Sequence, residues 1–106
     1  MAFEIAALPS YVRSLKKLGN REKQIAGLIV WGLQSYFEAH PPLSGGPYLF
    51  QFEKRSYRLV FKKLRDTLWE AYIEGKVRVV TRLEKNCHYL LLVGNHDQVR
   101  QFLRKN

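Results

Sequence analysis

The sequence predicts an α+β domain of order βααβββ, an antiparallel sheet with an N-terminal helical hairpin packed on one face. Three observations lead there. Apolar residues recur at helical spacing between positions 11 and 36, and apolar and polar residues alternate strand-like from position 68 onward. At 106 residues, with 46% hydrophobic and 13% aromatic side chains, residues 1–106 can fill one core but not two, so they read as a single domain.

Residues 3 to 8, FEIAAL, form a short strand that Pro9 and Ser10 turn into a helix, with Ser10 as its cap and Tyr11 or Val12, Leu15 and Leu18 repeating until Gly19. Asn20 offers a second cap. Ile25, Leu28, Ile29, Leu33 and Tyr36 then make a stripe of period near 3.6, ended by His40-Pro41-Pro42. Val30, Trp31 and Phe37 fall off that stripe, so the long helix is apolar on more than one side: either it is deeply buried or it offers a docking groove. The turn-rich PPLSGGPYLFQFEKRS, residues 41 to 56, holds an apolar run fit for an extra strand or a flap. LWEAYIE (68 to 74), VRVVTRL (77 to 83) and CHYLLLV (87 to 93) are strands, the first two joined through Gly75-Lys76 as a hairpin and the last two through Glu84-Lys85-Asn86. Residues 97 to 104 leave room for one or two helical turns.

Charge is the strongest compositional signal. The 18 Lys and Arg against 9 Asp and Glu give a net +9, which suits a polyanionic or strongly acidic partner rather than a neutral one. No stretch approaches the ~20 apolar residues of a membrane span, and there is no secretory leader pattern, so a cytoplasmic protein with no membrane role is expected. The single Cys87 agrees with a reducing compartment and reads as a buried thiol.

The cations are not spread evenly. Lys54, Arg55, Arg58, Lys62, Lys63 and Arg65 fall within residues 54 to 65, where no acid occurs. On the strand 77 to 83, Val77, Val79 and Leu83 share one face while Lys76, Arg78 and Arg82 share the other. Positive charges held together on a rigid sheet repel one another unless an anion neutralises them, so this face reads as a phosphate-backbone site. Tyr72 and His88, assigned matching parity on flanking strands, would add stacking and hydrogen-bonding groups. The plainer reading is a solvated strand face whose cations discourage aggregation.

LLLVGNHDQV, residues 90 to 99, has the Asn-His turn of a two-metal phosphoesterase. Such a site also needs Asp and His from several other loops. The chain holds only three His (His40, His88, His96) and two Asp (Asp66, Asp97), with too few residues after the turn, so no metal site is expected.

Leu64, Leu68-Trp69-Glu70, Gly75-Lys76-Val77-Arg78-Val79, the run Leu90 to Val93, and Gly94-Asn95-His96-Asp97-Gln98-Val99, in that order behind a strand and a helical hairpin, resemble the toxins of the RelE/ParE superfamily from type II toxin-antitoxin systems. The resemblance spans nearly the whole chain. It implies a RelE-like fold and a ribosome-dependent mRNA endonuclease (mRNA interferase) that inhibits translation, with mRNA and ribosome as targets and an acidic antitoxin protein as inhibitory partner. It implies no metal and no small-molecule cofactor: the RNA 2′-hydroxyl attacks the adjacent phosphate, side chains move the protons, and cations stabilise the phosphorane. By position, Arg78 matches the Arg that grips the scissile phosphate, and Lys62, Lys63 and Arg65 match the basic loop. His96 matches a candidate general acid. Arg100 stands where many members carry a terminal Tyr. The catalytic expectation is thus Arg78, His96, Lys62, Lys63 and Arg100, with Lys54, Arg55, Arg58, Arg65, Tyr72, Lys76 and Arg82 binding RNA; Asp97 is expected to cap the final helix. The missing Tyr also leaves open the branch that inhibits DNA gyrase without cutting RNA, and the charge alone leaves open a non-catalytic RNA- or ribosome-binding module.

Overall fold

A computed structural model of the protein describes residues 4–39, 47–73 and 75–105. Along the chain run β1 (Glu4–Ala7), α1 (Pro9–Lys16), α2 (Asn20–Ala39), β2 (Pro47–Phe52), β3 (Arg55–Arg65), β4 (Leu68–Tyr72), β5 (Arg78–Glu84), β6 (Cys87–Gly94) and α3 (His96–Lys105). The strands form one sheet in the order β1-β6-β5-β4-β3-β2.

The α+β class stands, but the sheet is larger than expected and mixed rather than antiparallel. The basic segment is itself a strand, β3, and PYLFQF is the extra strand β2. These two meet at a two-residue turn, where Glu53 (φ 49°) and Lys54 (φ 66°) both take the left-handed backbone that matches strand twist. The meander from β2 to β6 leaves the outer edge of β6 unpaired. β1 covers it in parallel, register Glu4 to Cys87 and Ala7 to Leu90, and so satisfies backbone groups that would otherwise template association. The turn-rich stretch 41–46 between α2 and β2, with His40, lies outside the described residues.

The N-terminal hairpin packs on one face. α1 starts at Pro9, whose missing N–H costs nothing there, and Leu8 precedes it without a side-chain cap. Ser10 is therefore not the cap. Its hydroxyl donates to the Leu91 carbonyl at 2.7 Å, and the Ser14 hydroxyl accepts from Val93 N–H at 3.0 Å, so two serines bind α1 to β6. At the start of α2 the cap is Gly19 rather than Asn20: its N–H donates to Glu22 Oε1 at 3.1 Å, and its carbonyl accepts from Lys23 N–H.

α2 buries Ala26, Ile29, Leu33, Tyr36 and Phe37 against Leu59, Phe61, Ala71, Val79 and Leu90 of the sheet. A large apolar side chain buried completely, as Phe37 and Phe61 are, contributes about 1.5–3 kcal/mol. Of the residues off the predicted stripe, Phe37 is buried and Val30 half-buried. Trp31 remains 50% exposed, its ring edge-on to Phe52 at 5.3 Å.

The second face is not open. α3 crosses it, seating Val99, Phe102 and Leu103 on Val80, Leu91, Leu92, Leu64 and Leu68. A bulge in β6 makes this possible: Val80 pairs with Leu92 and Thr81 with Leu90, leaving Leu91 extra and turned to the α3 side. Helices thus lie on both faces. Among the described residues no helix is long and apolar enough to cross a membrane.

Candidate nucleic-acid interface

Strand alternation sorts the cations. On β5, Val79 points into the hairpin core, while Arg78, Val80 and Arg82 point to the α3 side. On β4 the same side carries Leu68, Glu70 and Tyr72; on β3 it carries Arg58, Val60 and Lys62, because Val60 pairs with Tyr72 and Lys62 with Glu70. Lys63 parts from Lys62. It pairs with Trp69 on the hairpin side, so the two neighbours of the expected basic loop occupy opposite faces.

The centre of the arrangement is Arg78. Its guanidinium carbon lies 3.7 Å over the Tyr72 ring, a cation–π stack, and its buried Nε has no hydrogen-bond partner among the described residues. Lys62 Nζ approaches the same ring at 5.7 Å from the other neighbouring strand. Its ammonium is also 3.6 Å from Glu70 Oε2, a carboxylate that is almost fully buried. Glu70 was passed over in the sequence, where it looked like one more residue of the Leu-Trp-Glu run. The signal that finds it is its parity, which sets it between Lys62 and Val80.

His96 and Lys76 join Arg78 in lining a cleft of about 290 Å³ with Gly75, Asn95 and Asp97, at the N-terminus of α3. Arg100 is exposed on α3 one turn beyond His96. The cap of α3 is Asn95, not Asp97. Gln98 N–H donates to Asn95 Oδ1 at 2.9 Å, and Asn95 N–H donates to Gln98 Oε1 at 2.7 Å, a reciprocal pair that only a residue just before the helix can make. Asp97 sits exposed in the first turn.

The remaining cations differ in commitment. Arg82 Nε is 3.0 Å from Glu84 Oε1, in a contact whose angles are not those of a hydrogen bond, and its guanidinium lies 5.4 Å over Tyr89. A hydrogen bond with the Cys87 thiol pushes the Tyr89 hydroxyl up from its ordinary pKa. Arg65 Nη2 donates to the Leu103 carbonyl at 2.7 Å, a cation placed at the negative end of α3. Arg58 is exposed opposite Leu49 on the Lys62 face, and Lys54 and Arg55 stand at the tip of the β2–β3 turn, away from the cleft.

His88 does not belong to this face. The two-residue turn at Lys85-Asn86 pairs Glu84 with Cys87 and hence Leu83 with His88, which turns the imidazole into the hairpin core. There it is fully buried, stacked 3.9 Å from Phe37, and burial lowers its pKa from 6.5 to about 4. The expectation of His88 beside Tyr72 is therefore corrected: strand parity was right for Tyr72 but the turn fixes the opposite phase for β6. Cys87 is half-buried rather than buried.

Among the described residues no three His, Cys, Asp or Glu side chains gather as a metal site requires. What the face offers is a guanidinium 3.7 Å over an aromatic ring, a lysine 5.7 Å from the same ring, and an imidazole that shares a cleft with that guanidinium. Such a set can bind a phosphodiester and stack a base. No protein family matches the chain, and no curated protein matches it.

Proposed function

We propose that the chain is a RelE/ParE-type toxin that cleaves mRNA on the ribosome without a metal and is held in check by an acidic antitoxin. The observation that carries this reading is the Arg78–Tyr72 stack at 3.7 Å, flanked by Lys62 and by His96. The order of strand, helical hairpin and antiparallel meander supports a RelE-like topology, with β2 and α3 as additions to the expected pattern.

In the proposed reaction the RNA 2′-hydroxyl gives its proton to solvent as its oxygen attacks its own 3′-phosphate; a P–O2′ bond forms and the P–O5′ bond breaks, leaving a 2′,3′-cyclic phosphate and a 5′-hydroxyl. Arg78 and Lys62 neutralise the charge that gathers on the non-bridging oxygens. His96 protonates the departing 5′-oxygen. Arg100 adds charge beside it. A second reading, gyrase inhibition without cleavage, gains support from Arg100: no tyrosine stands on α3 to stack a base beside His96.

Added to a translating extract, the protein should yield mRNA cuts in codon register, mapped by primer extension, that persist in excess chelator and vanish with Arg78→Ala. Intact mRNA with arrested DNA supercoiling would favour the gyrase reading instead, and intact mRNA with neither effect would leave a binding module.

A further inference from the structure

We propose that Glu70 is a positioning residue of this site: its buried carboxylate holds the Lys62 side chain turned toward Tyr72, so that Lys62 and Arg78 grip one phosphodiester from the two strands flanking β4. The assignment rests on the cleavage reading above.

Glu70 is 2% exposed, and an ionised carboxylate taken out of water requires a compensating partner. Its partner among the described residues is Lys62, 3.6 Å away and half exposed. The pair is unequal. The acid is fixed in the sheet, while the base reaches over it from the next strand with one side open to solvent. Adjacent strands lie ~4.8 Å apart, so the backbones bearing Lys62 and Arg78 are separated by about 10 Å, with Glu70 and Tyr72 between them. Tyr72 fills the gap as a floor, touched by both cations. Two like charges brought toward one ring repel each other, and without a counter-charge Lys62 gains by swinging into water. Glu70 supplies that counter-charge from beneath, where substrate does not reach. It acts through Lys62 and is not a catalytic residue.

This role makes two observables move in opposite directions. Glu70→Gln removes a negative charge from a cationic face, so affinity for a single-stranded RNA bearing a 2′-deoxy scissile nucleotide should hold or rise. Its salt dependence should steepen by up to ~0.7 in the log–log slope, the value for one further phosphate contact. Cleavage of ribosome-bound mRNA should nevertheless slow at least tenfold, because Lys62 is no longer held. Glu70→Asp should recover part of the rate. In a Lys62→Ala background, Glu70→Gln should change the rate less than twofold.

The proposal is overturned if Glu70→Gln costs as much in the Lys62→Ala background as alone, or if affinity, cleavage and melting temperature all fall together, as loss of packing would cause. Codon-register cleavage that depends on Arg78 but shows no Glu70–Lys62 coupling would leave the cleavage reading and remove this one. If the unsubstituted chain does not cut mRNA, the cleavage reading falls. The Glu70–Lys62 coupling is then decided on binding: a Glu70→Gln effect on affinity that disappears with Lys62→Ala sustains it, and an effect that survives overturns it.

Discussion

His88→Leu should abolish about 2 kcal/mol of the stability that this fold loses between pH 7.5 and pH 5. The imidazole is fully buried between Phe37, at 3.9 Å and nearly parallel, and Phe61, at 5.8 Å and edge-on, and neither ring nitrogen has a hydrogen-bond partner among the described residues. Burial lowers its pKa from 6.5 to about 4, so the unfolded chain takes up this proton first as pH falls. Stability from the neutral ring is complete above pH 6.5, declines as pH drops below that, and stops declining near pH 4. One pKa unit is worth 1.36 kcal/mol, so the whole loss is about 3 kcal/mol, of which about 2 kcal/mol has gone by pH 5. At neutral pH the substitution should itself stabilise by about 1 kcal/mol, because relief of an unpaired buried polar group (about 1–3 kcal/mol) exceeds the lost ring stacking (about 0.5–1.5 kcal/mol). Urea unfolding of both proteins from pH 7.5 to 5 checks this, the carboxylates common to both cancelling in the difference. Parallel stability profiles would refute the assignment of the proton to His88.

Further outcomes follow from contacts on α2, α3 and the cationic face. A Cβ on Gly32 would lie 2.7 Å from the buried Phe50 ring, so Gly32→Ala should destabilise by about 1–3 kcal/mol. Gly27→Ala, where a Cβ meets open space, should instead stabilise by about 0.5–1 kcal/mol, both read by urea unfolding. Asn95→Ala breaks the reciprocal pair with Gln98 and should cost about 1 kcal/mol, seen by hydrogen exchange as faster opening of α3 with β5 unchanged. Arg78→Lys keeps the charge but not the planar stack on Tyr72, so the salt dependence of RNA binding should survive while cleavage drops at least ~10-fold; Arg78→Ala should lose both.

What could be read in the sequence was periodicity. The α2 stripe, the β5 alternation and the β4–β5–β6 meander come from local patterns that dominate burial, and Arg78 and Arg82 could be assigned to the face away from Val79 on parity alone. What could not be read depends on register. β3 carries so many cations that it resembled a loop, yet Leu59 and Phe61, both at 0% exposure, are its inward residues and make it a central strand. The phase of His88 is set by a two-residue turn, and that of Leu91 by a bulge, neither of which alternation reveals. The caps misread as Ser10, Asn20 and Asp97 each lie one position or two from the true helix boundary, which hydrogen-bond partners decide and residue type does not.

The helix that sequence left as one or two turns is what divides the cationic face. Val80 sits midway between Arg78 and Arg82 on the same side of β5, and an exposed valine there would leave an apolar gap in a charged column. α3 closes it with Val99. Arg82 is drawn to Glu84 and Tyr89, and Arg65 is spent on the Leu103 carbonyl at the end of α3. Arg78 lies four residues back, about 13 Å along the strand, at the helix end where backbone N–H groups rather than carbonyls point outward. There Arg78 stacks on Tyr72, with Lys62 near the same ring, and lines one cleft with His96 of the first helical turn. Under the proposed function, the asymmetry of α3 therefore favours the Arg78 end of β5 over the Arg82 end as the anion site. Arg65→Ala tests this, because freeing the far end should loosen α3 and raise non-specific RNA affinity at Arg82 without increasing cleavage at Arg78.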